Sequence, residues 1–210
     1  RNVWHCDVRS LYPSIILAER WVPVRDELAE FPRLLAALRR FRLEAKDRAR
    51  TAEDPGLRRY YAALQGAFKI TINSFYGYLG FPQGSFNDYA MAERVTARGR
   101  DILQTMLDFL QDSGARVLEM DTDGIYFQPP AGVTDKNAFG ARIQGCLPAG
   151  IDVELDASYE AMFSYKSKNY ALLSEDGRVD ITGAALKSRG MEPFLRDFVA
   201  GVIRLLLAGK

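Results

Sequence analysis

Three aspartates have the type and spacing for metal-assisted phosphoryl chemistry. Asp121 and Asp123 flank a single residue in Asp121-Thr122-Asp123-Gly124, and Asp7 ends another apolar strand, just before Val8-Arg9-Ser10-Leu11-Tyr12-Pro13-Ser14. An aspartate at a tight turn is ordinarily there for the turn, because its side chain bonds its own backbone. Here, however, the turn lies between two largely apolar runs, Val117-Leu118-Glu119-Met120 and Ile125-Tyr126-Phe127. Carboxylates at the mouth of a buried hairpin need compensation, which a divalent cation supplies. If the two strands lie side by side, the three carboxylates converge. That set suits two Mg²⁺ ions about 3.5–4 Å apart, one activating a hydroxyl and one clamping a leaving phosphate. No histidine or cysteine cluster competes for a softer metal, and the one histidine is His5.

A second group of residues has the chemistry to hold the phosphates. Arg42 and Lys46 stand i, i+4 on one helical stretch; Lys69, Asn73 and Tyr76 stand i, i+4, i+7 on the next. Each set shares a helix face, so folding the two helices together presents three cations and an amide along one side. Lys69 interrupts the apolar run Ala67–Ile72. A cation among apolar neighbours is costly unless it meets an anion. A nucleoside triphosphate fits, with arginine giving bidentate contacts and lysine a point charge.

The elements that must position these residues follow from periodicity. Residues 2–8 read as a strand, followed by a turn at Pro13 and a short apolar helical stretch over Ile15–Ala18. A helix over about 32–50 has the stripe Leu34, Leu38, Phe41 and Ala45. After the turn signal Glu53-Asp54-Pro55-Gly56, a second helix runs over about 57–75 with Tyr61, Leu64, Phe68 and Thr71 on one side. So short a connection makes the two antiparallel neighbours. Ser85-x-x-Asp88 resembles a capping box opening a long helix that stops at Gly114. A β-hairpin over 116–128, a helix near 135–145, strands over 151–164, 168–174 and 178–182, and an amphipathic helix over Pro193–Leu207 complete the chain. The fold class is α+β, with a helical hairpin inserted after the first strand.

The 210 residues allow one sizeable core, or one core with an appended subdomain. A net charge of +1 means that any nucleic-acid site must come from local clustering, not from a basic surface. No apolar run approaches the roughly 20 residues needed to cross a bilayer, so no membrane partner is expected. Two cysteines, Cys6 and Cys146, give no disulfide framework, which points to a reducing compartment. The chain opens directly on a strand, as an excised piece of a longer protein would.

Taken together, these stretches resemble the family B DNA polymerases. Asp7-Val8-Arg9-Ser10-Leu11-Tyr12-Pro13-Ser14-Ile15 looks like the family's motif A, Lys69-Ile70-Thr71-Ile72-Asn73-Ser74-Phe75-Tyr76-Gly77 like motif B, and Asp121-Thr122-Asp123 like motif C. The order along the chain is the family's. The resemblance implies a polymerase palm, an antiparallel sheet with packed helices, over residues 1–30 and 79–210, with a fingers helical hairpin over 31–78. It implies that the exonuclease and thumb are absent and belong to the remaining domains of a parent chain.

By the same resemblance, Asp7 and Asp123 are the principal magnesium ligands, with the Val8 carbonyl contributing, Asp121 assisting, and Mn²⁺ a possible substitute. Ser10 and Leu11 would hold the incoming dNTP, and Tyr12 would exclude a ribose 2′-hydroxyl. Arg42, Lys46, Lys69 and Asn73 match residues contacting the triphosphate and nascent pair, Gln65 falls on a further motif position, and Tyr76 would lie near the minor-groove side. Lys166-Ser167-Lys168-Asn169-Tyr170 looks like a lysine–tyrosine motif near the primer end, with Lys168 at its best-defined lysine. Glu154 and Asp156 match a pair of family glutamates near the metal site, and Lys187-Ser188-Arg189 would touch primer phosphate. The implied activity is DNA-directed DNA synthesis on primer–template DNA. The alternatives are a catalytically inactive polymerase-like fragment or nucleotide-binding module, and a palm enzyme that copies or makes RNA.

Overall fold

A computed structural model describes residues 1–183, 185 and 190–209, and of Asp156 only the backbone. The Lys187-Ser188-Arg189 cluster lies outside the described residues, as does the Asp156 side chain. The chain is a mixture of helices and antiparallel sheet, as the periodicities predict, and it divides into two compact units. One comprises Arg1–Val8, Leu103–Leu147 and Val153–Lys210; the other comprises Arg9–Ile102 and Pro148–Asp152.

The first unit is built on a four-stranded antiparallel sheet ordered β2-β3-β1-β4, from β2 (Arg116–Asp121), β3 (Gly124–Gln128), β1 (Val3–Val8) and β4 (Val153–Tyr159). Alternation sends β1 side chains to opposite faces. Trp4 and Phe127 meet Phe139 of α5 (Lys136–Gly145), which also contacts Phe109 of α4 (Tyr89–Asp112). On the other face, Val3 and Tyr126 pack with Tyr170 and Leu172 of β6 (Asn169–Leu173). That strand is the centre of a second sheet, β5-β6-β7, flanked by β5 (Ala161–Lys166) and β7 (Val179–Thr182). The outer side of this sheet, with Ala161 and Ala171, buries Ile203 and Leu207 of α6 (Pro193–Ala208). Two sheets are thus sandwiched between helices, with period-2 strands serving both sides.

The second unit holds α1 (Leu11–Ala18), the antiparallel pair α2 (Glu30–Thr51) and α3 (Pro55–Leu79), and the first turns of α4. Pro13 falls inside the first turn of α1 rather than at a turn before it. A missing N–H is harmless there, because that turn has no helical acceptor for it. The α2–α3 turn is where the sequence places it. Asp54 caps α3 by accepting from Leu57 N–H at 2.7 Å, with Pro55 as its first residue.

Three further expectations change. The buried face of α2 carries Phe31, Leu35 and Ala45, whereas Leu34 and Phe41 of the expected stripe are 55% and 42% exposed. Phe31 draws the helix round, its ring meeting Phe75, Tyr78 and Phe86. The cap of α4 is Asp88, not Ser85: its Oδ1 accepts from Met91 N–H at 2.8 Å, while Oδ2 accepts from Val24 N–H at 2.9 Å. Finally, the long strand expected over 151–164 breaks into β4 and β5 at Glu160.

Candidate functional site

In the first unit, strand register assembles a row of acids. Asp121 pairs with Gly124, Gly124 with Asp7, and Asp7 with Glu154, so the row crosses all four strands of the first sheet on one face. A bulge in β4 between the His5 and Asp7 pairings places Glu154 opposite Asp7. The same face is apolar further along β1, where Val3 is buried against β6. Gly124 has no side chain to offer, and none fits. A Cβ there would stand 2.5 Å from His5 Nε2 and 3.0 Å from the Cys6 carbonyl oxygen. His5 is held over this point by stacking on Tyr126 at 4.2 Å.

Asp123 joins Asp7 through the backbone: Val8 N–H donates to the Asp123 carbonyl at 2.8 Å. Thr122, at the hairpin tip, takes a left-handed φ of 43°. Asp121 is placed differently. It lies two strands from Asp7, about 9–10 Å at the backbone. Its Oδ2 accepts from the Tyr170 hydroxyl at 3.0 Å, and its Oδ1 is 3.5 Å from Lys168 Nζ. The same ammonium donates to Thr122 Oγ1 at 2.8 Å. Burial pushes the Tyr170 phenol up, so it remains a donor to that carboxylate.

Among the described residues no three His, Cys, Asp or Glu side chains form a ready-made metal cage. Magnesium needs none: one or two carboxylates suffice when water and substrate phosphates complete the octahedron. The hard-oxygen donors of Asp7 and Asp123 at adjoining strand ends suit that chemistry.

In the second unit, the nucleotide candidates gather round the start of α1. Ser10 turns the chain through a left-handed conformation (φ 47°) directly before the helix, and Ser14 Oγ fastens the turn by donating to the Arg9 carbonyl at 2.8 Å. The N–H groups of Leu11 and Tyr12 lie at the start of α1, the helix end that suits an anion. Arg42 of α2 reaches this point, donating to Ser10 Oγ at 3.3 Å. The Tyr12 ring lies 4.4 Å from that of Tyr76. Gly99 of α4 backs Tyr12: a Cβ there would stand 3.2 Å from its ring.

Lys46, Lys69 and Asn73 are exposed. The expected reason for singling out Lys69, the cost of a cation in an apolar run, therefore does not hold. Its stretch of α3 faces solvent, with Ile70 71% exposed. Lys69 is accessible to an anion without being driven to one.

Comparisons with known proteins place the chain in a family. The family model described as DNA polymerase family B matches residues 19–210. The chain belongs to the family B DNA polymerases. "DNA polymerase 1" of Pyrococcus abyssi is 30% identical over 96% of this chain and 29% of its own length. The "DNA polymerase" of Archaeoglobus fulgidus is 30% identical over 100% of the chain and 29% of its own length. The chain therefore spans under a third of these family B relatives. The solved structure of the family B DNA polymerase from the hyperthermophilic archaeon Pyrobaculum calidifontis covers 100% of this chain, with a TM-score of 0.75 and 24% identity; 30% of that structure is matched, and the likeness speaks to the fold alone. Asp7 to Leu11 precede the family-model match.

Sequence reasoning overlooked Gly124 and Gly99, where an added Cβ would meet His5 and Tyr12, and Glu119, which is 9% exposed and accepts from the Ser164 hydroxyl and the Lys168 N–H. Glu119 carried a legible signal, an acid inside an apolar strand. The glycines carried none, because what each makes room for comes from elsewhere in the chain.

Proposed function

We propose that this chain is the catalytic core of a DNA-directed DNA polymerase, joining a dNTP to a primer 3′-hydroxyl with release of pyrophosphate. The observation that carries the reading is the backbone bond between Val8 and Asp123, which brings Asp123 next to Asp7 within the acidic row, in a family B chain. Asp7, Asp123 and the Val8 carbonyl would hold Mg²⁺, or Mn²⁺ in its place. The bound ions supply hydroxyl activation and neutralisation of the leaving phosphates.

The chain's own residues bind and orient. The N–H groups of Leu11 and Tyr12, with Arg42 beside Ser10, receive the triphosphate. Lys46, Lys69 and Asn73 add charge and a hydrogen-bonding amide along the α2–α3 hairpin, which serves as fingers. The Tyr12 ring, braced by Tyr76, occupies the place of a ribose 2′-hydroxyl. Lys168 and Tyr76 contact DNA. Asp121, engaged by Tyr170 and Lys168, orders the hairpin tip and assists. Catalysis by such a site is chiefly positioning and charge stabilisation.

A second reading is an inactive polymerase-like fragment, favoured by the chain's span of 29% of its relatives. Primer extension with dNTPs and with rNTPs, on DNA and on RNA templates, tests both. The proposal expects Mg²⁺-dependent dNTP incorporation on DNA. Extension with rNTPs, or on RNA alone, would overturn it, and nucleotide binding without extension by this chain or its full-length parent would favour the second reading.

A further inference from the structure

Glu119 is an acid that the polymerase reading leaves without a task. It lies just past the β2 bulge and is only 9% exposed. A carboxylate so placed needs partners for its oxygens, and both have them. Oε1 accepts the backbone N–H of Lys168 at 3.0 Å, and Oε2 accepts the Ser164 hydroxyl at 2.9 Å. The bulge in the β5–β6 pairing lies between Ser164 and Lys166, so one side chain grips this hairpin on both sides of its irregularity.

Lys168 adopts a left-handed φ of 58°. A residue with a Cβ keeps that conformation only where its surroundings fix it. Its bonded N–H is one such constraint. From there its ammonium reaches Thr122 and Asp121, while the side chain stays 60% exposed. The geometry points to Glu119 as a positioning residue. By clamping the β5–β6 turn it sets the Lys168 ammonium beside the Asp121–Thr122 tip, open on its solvent side to a DNA phosphate. The DNA contact rests on the polymerase reading; the clamp does not.

The test compares wild type with Glu119→Ala, Glu119→Gln, Lys168→Ala and the Glu119→Ala/Lys168→Ala double variant. It reads hydrogen exchange of the Lys168 amide and binding of a primer–template duplex across a salt series. Glu119→Ala should expose the amide, weaken DNA binding about tenfold, as loss of one charge-assisted bond would, and reduce the salt slope by about one. Lys168→Ala should match that loss, and the double variant should bind no worse than Lys168→Ala. Glu119→Gln should stay near wild type, since its amide oxygen can accept from Lys168 and its NH₂ can donate to Ser164. Unchanged exchange in Glu119→Ala, or additive losses in the double variant, would overturn the assignment. If the amide depends on Glu119 but the wild type binds no primer–template, the polymerase reading and the DNA contact fall while the clamp stands.

Discussion

The Val8 N–H donates to the Asp123 carbonyl at 2.8 Å, and this one bond fixes the two acids of the proposed metal site on adjoining strand ends. Asp121 is tied instead to Tyr170. The three aspartates should therefore respond differently to replacement. In a Mn²⁺ titration followed by electron paramagnetic resonance, Asp7→Ala and Asp123→Ala should each weaken binding at least tenfold. Asp121→Asn should retain most of it. Loss confined to Asp121→Asn would reverse the ranking.

Tyr12 is braced between Tyr76 and Gly99. Replacing Tyr12 by alanine should relax discrimination against ribonucleotides, read as the ratio of kcat/KM for dNTP and rNTP. Gly99→Ala should move the same ratio, because its methyl pushes on the ring, even though alanine favours a helix by about 1 kcal/mol. Unchanged selectivity in Tyr12→Ala would remove the gate.

Asp26 is 5% exposed and accepts from Glu30 N–H at 2.9 Å and Phe31 N–H at 2.7 Å at the start of α2. Asp26→Ala leaves both donors without that acceptor and should cost about 2 kcal/mol. A urea melt measures this, with Asp54→Ala, an exposed cap, expected to cost less.

How much of this was legible depended on the range of the interaction. The hairpin tip Asp121-Thr122-Asp123-Gly124 and the α2–α3 turn are written in local residues, and both fell where periodicity and turn chemistry put them. The bulge that sets Glu154 opposite Asp7 depends on pairing between distant strands, so no local pattern reveals it. Asp88 displaced Ser85 as a cap because it also satisfies Val24, 64 positions away. The apolar run around Lys69 does not report burial, because that stretch of α3 is exposed.

The Tyr126 hydroxyl faces that of Tyr170 at 3.4 Å, and burial, then this contact, raises its pKa far above the ordinary 10.0. Above that ordinary value the unfolded chain releases the proton and the folded one keeps it. The stabilisation is thus fully present below about pH 10 and is lost as pH rises further. Tyr126→Phe should flatten the fall in stability between about pH 10 and 11.5, measured as the slope of unfolding free energy against pH. An unchanged slope would contradict the assignment.

Single-nucleotide extension of a DNA primer–template by wild type, Asp7→Ala and Asp123→Ala tests the metal assignment at its core. Mg²⁺-dependent dNTP addition by the wild type, with at least a thousandfold loss in either variant, is the expected result. Full activity in either variant would refute the assignment.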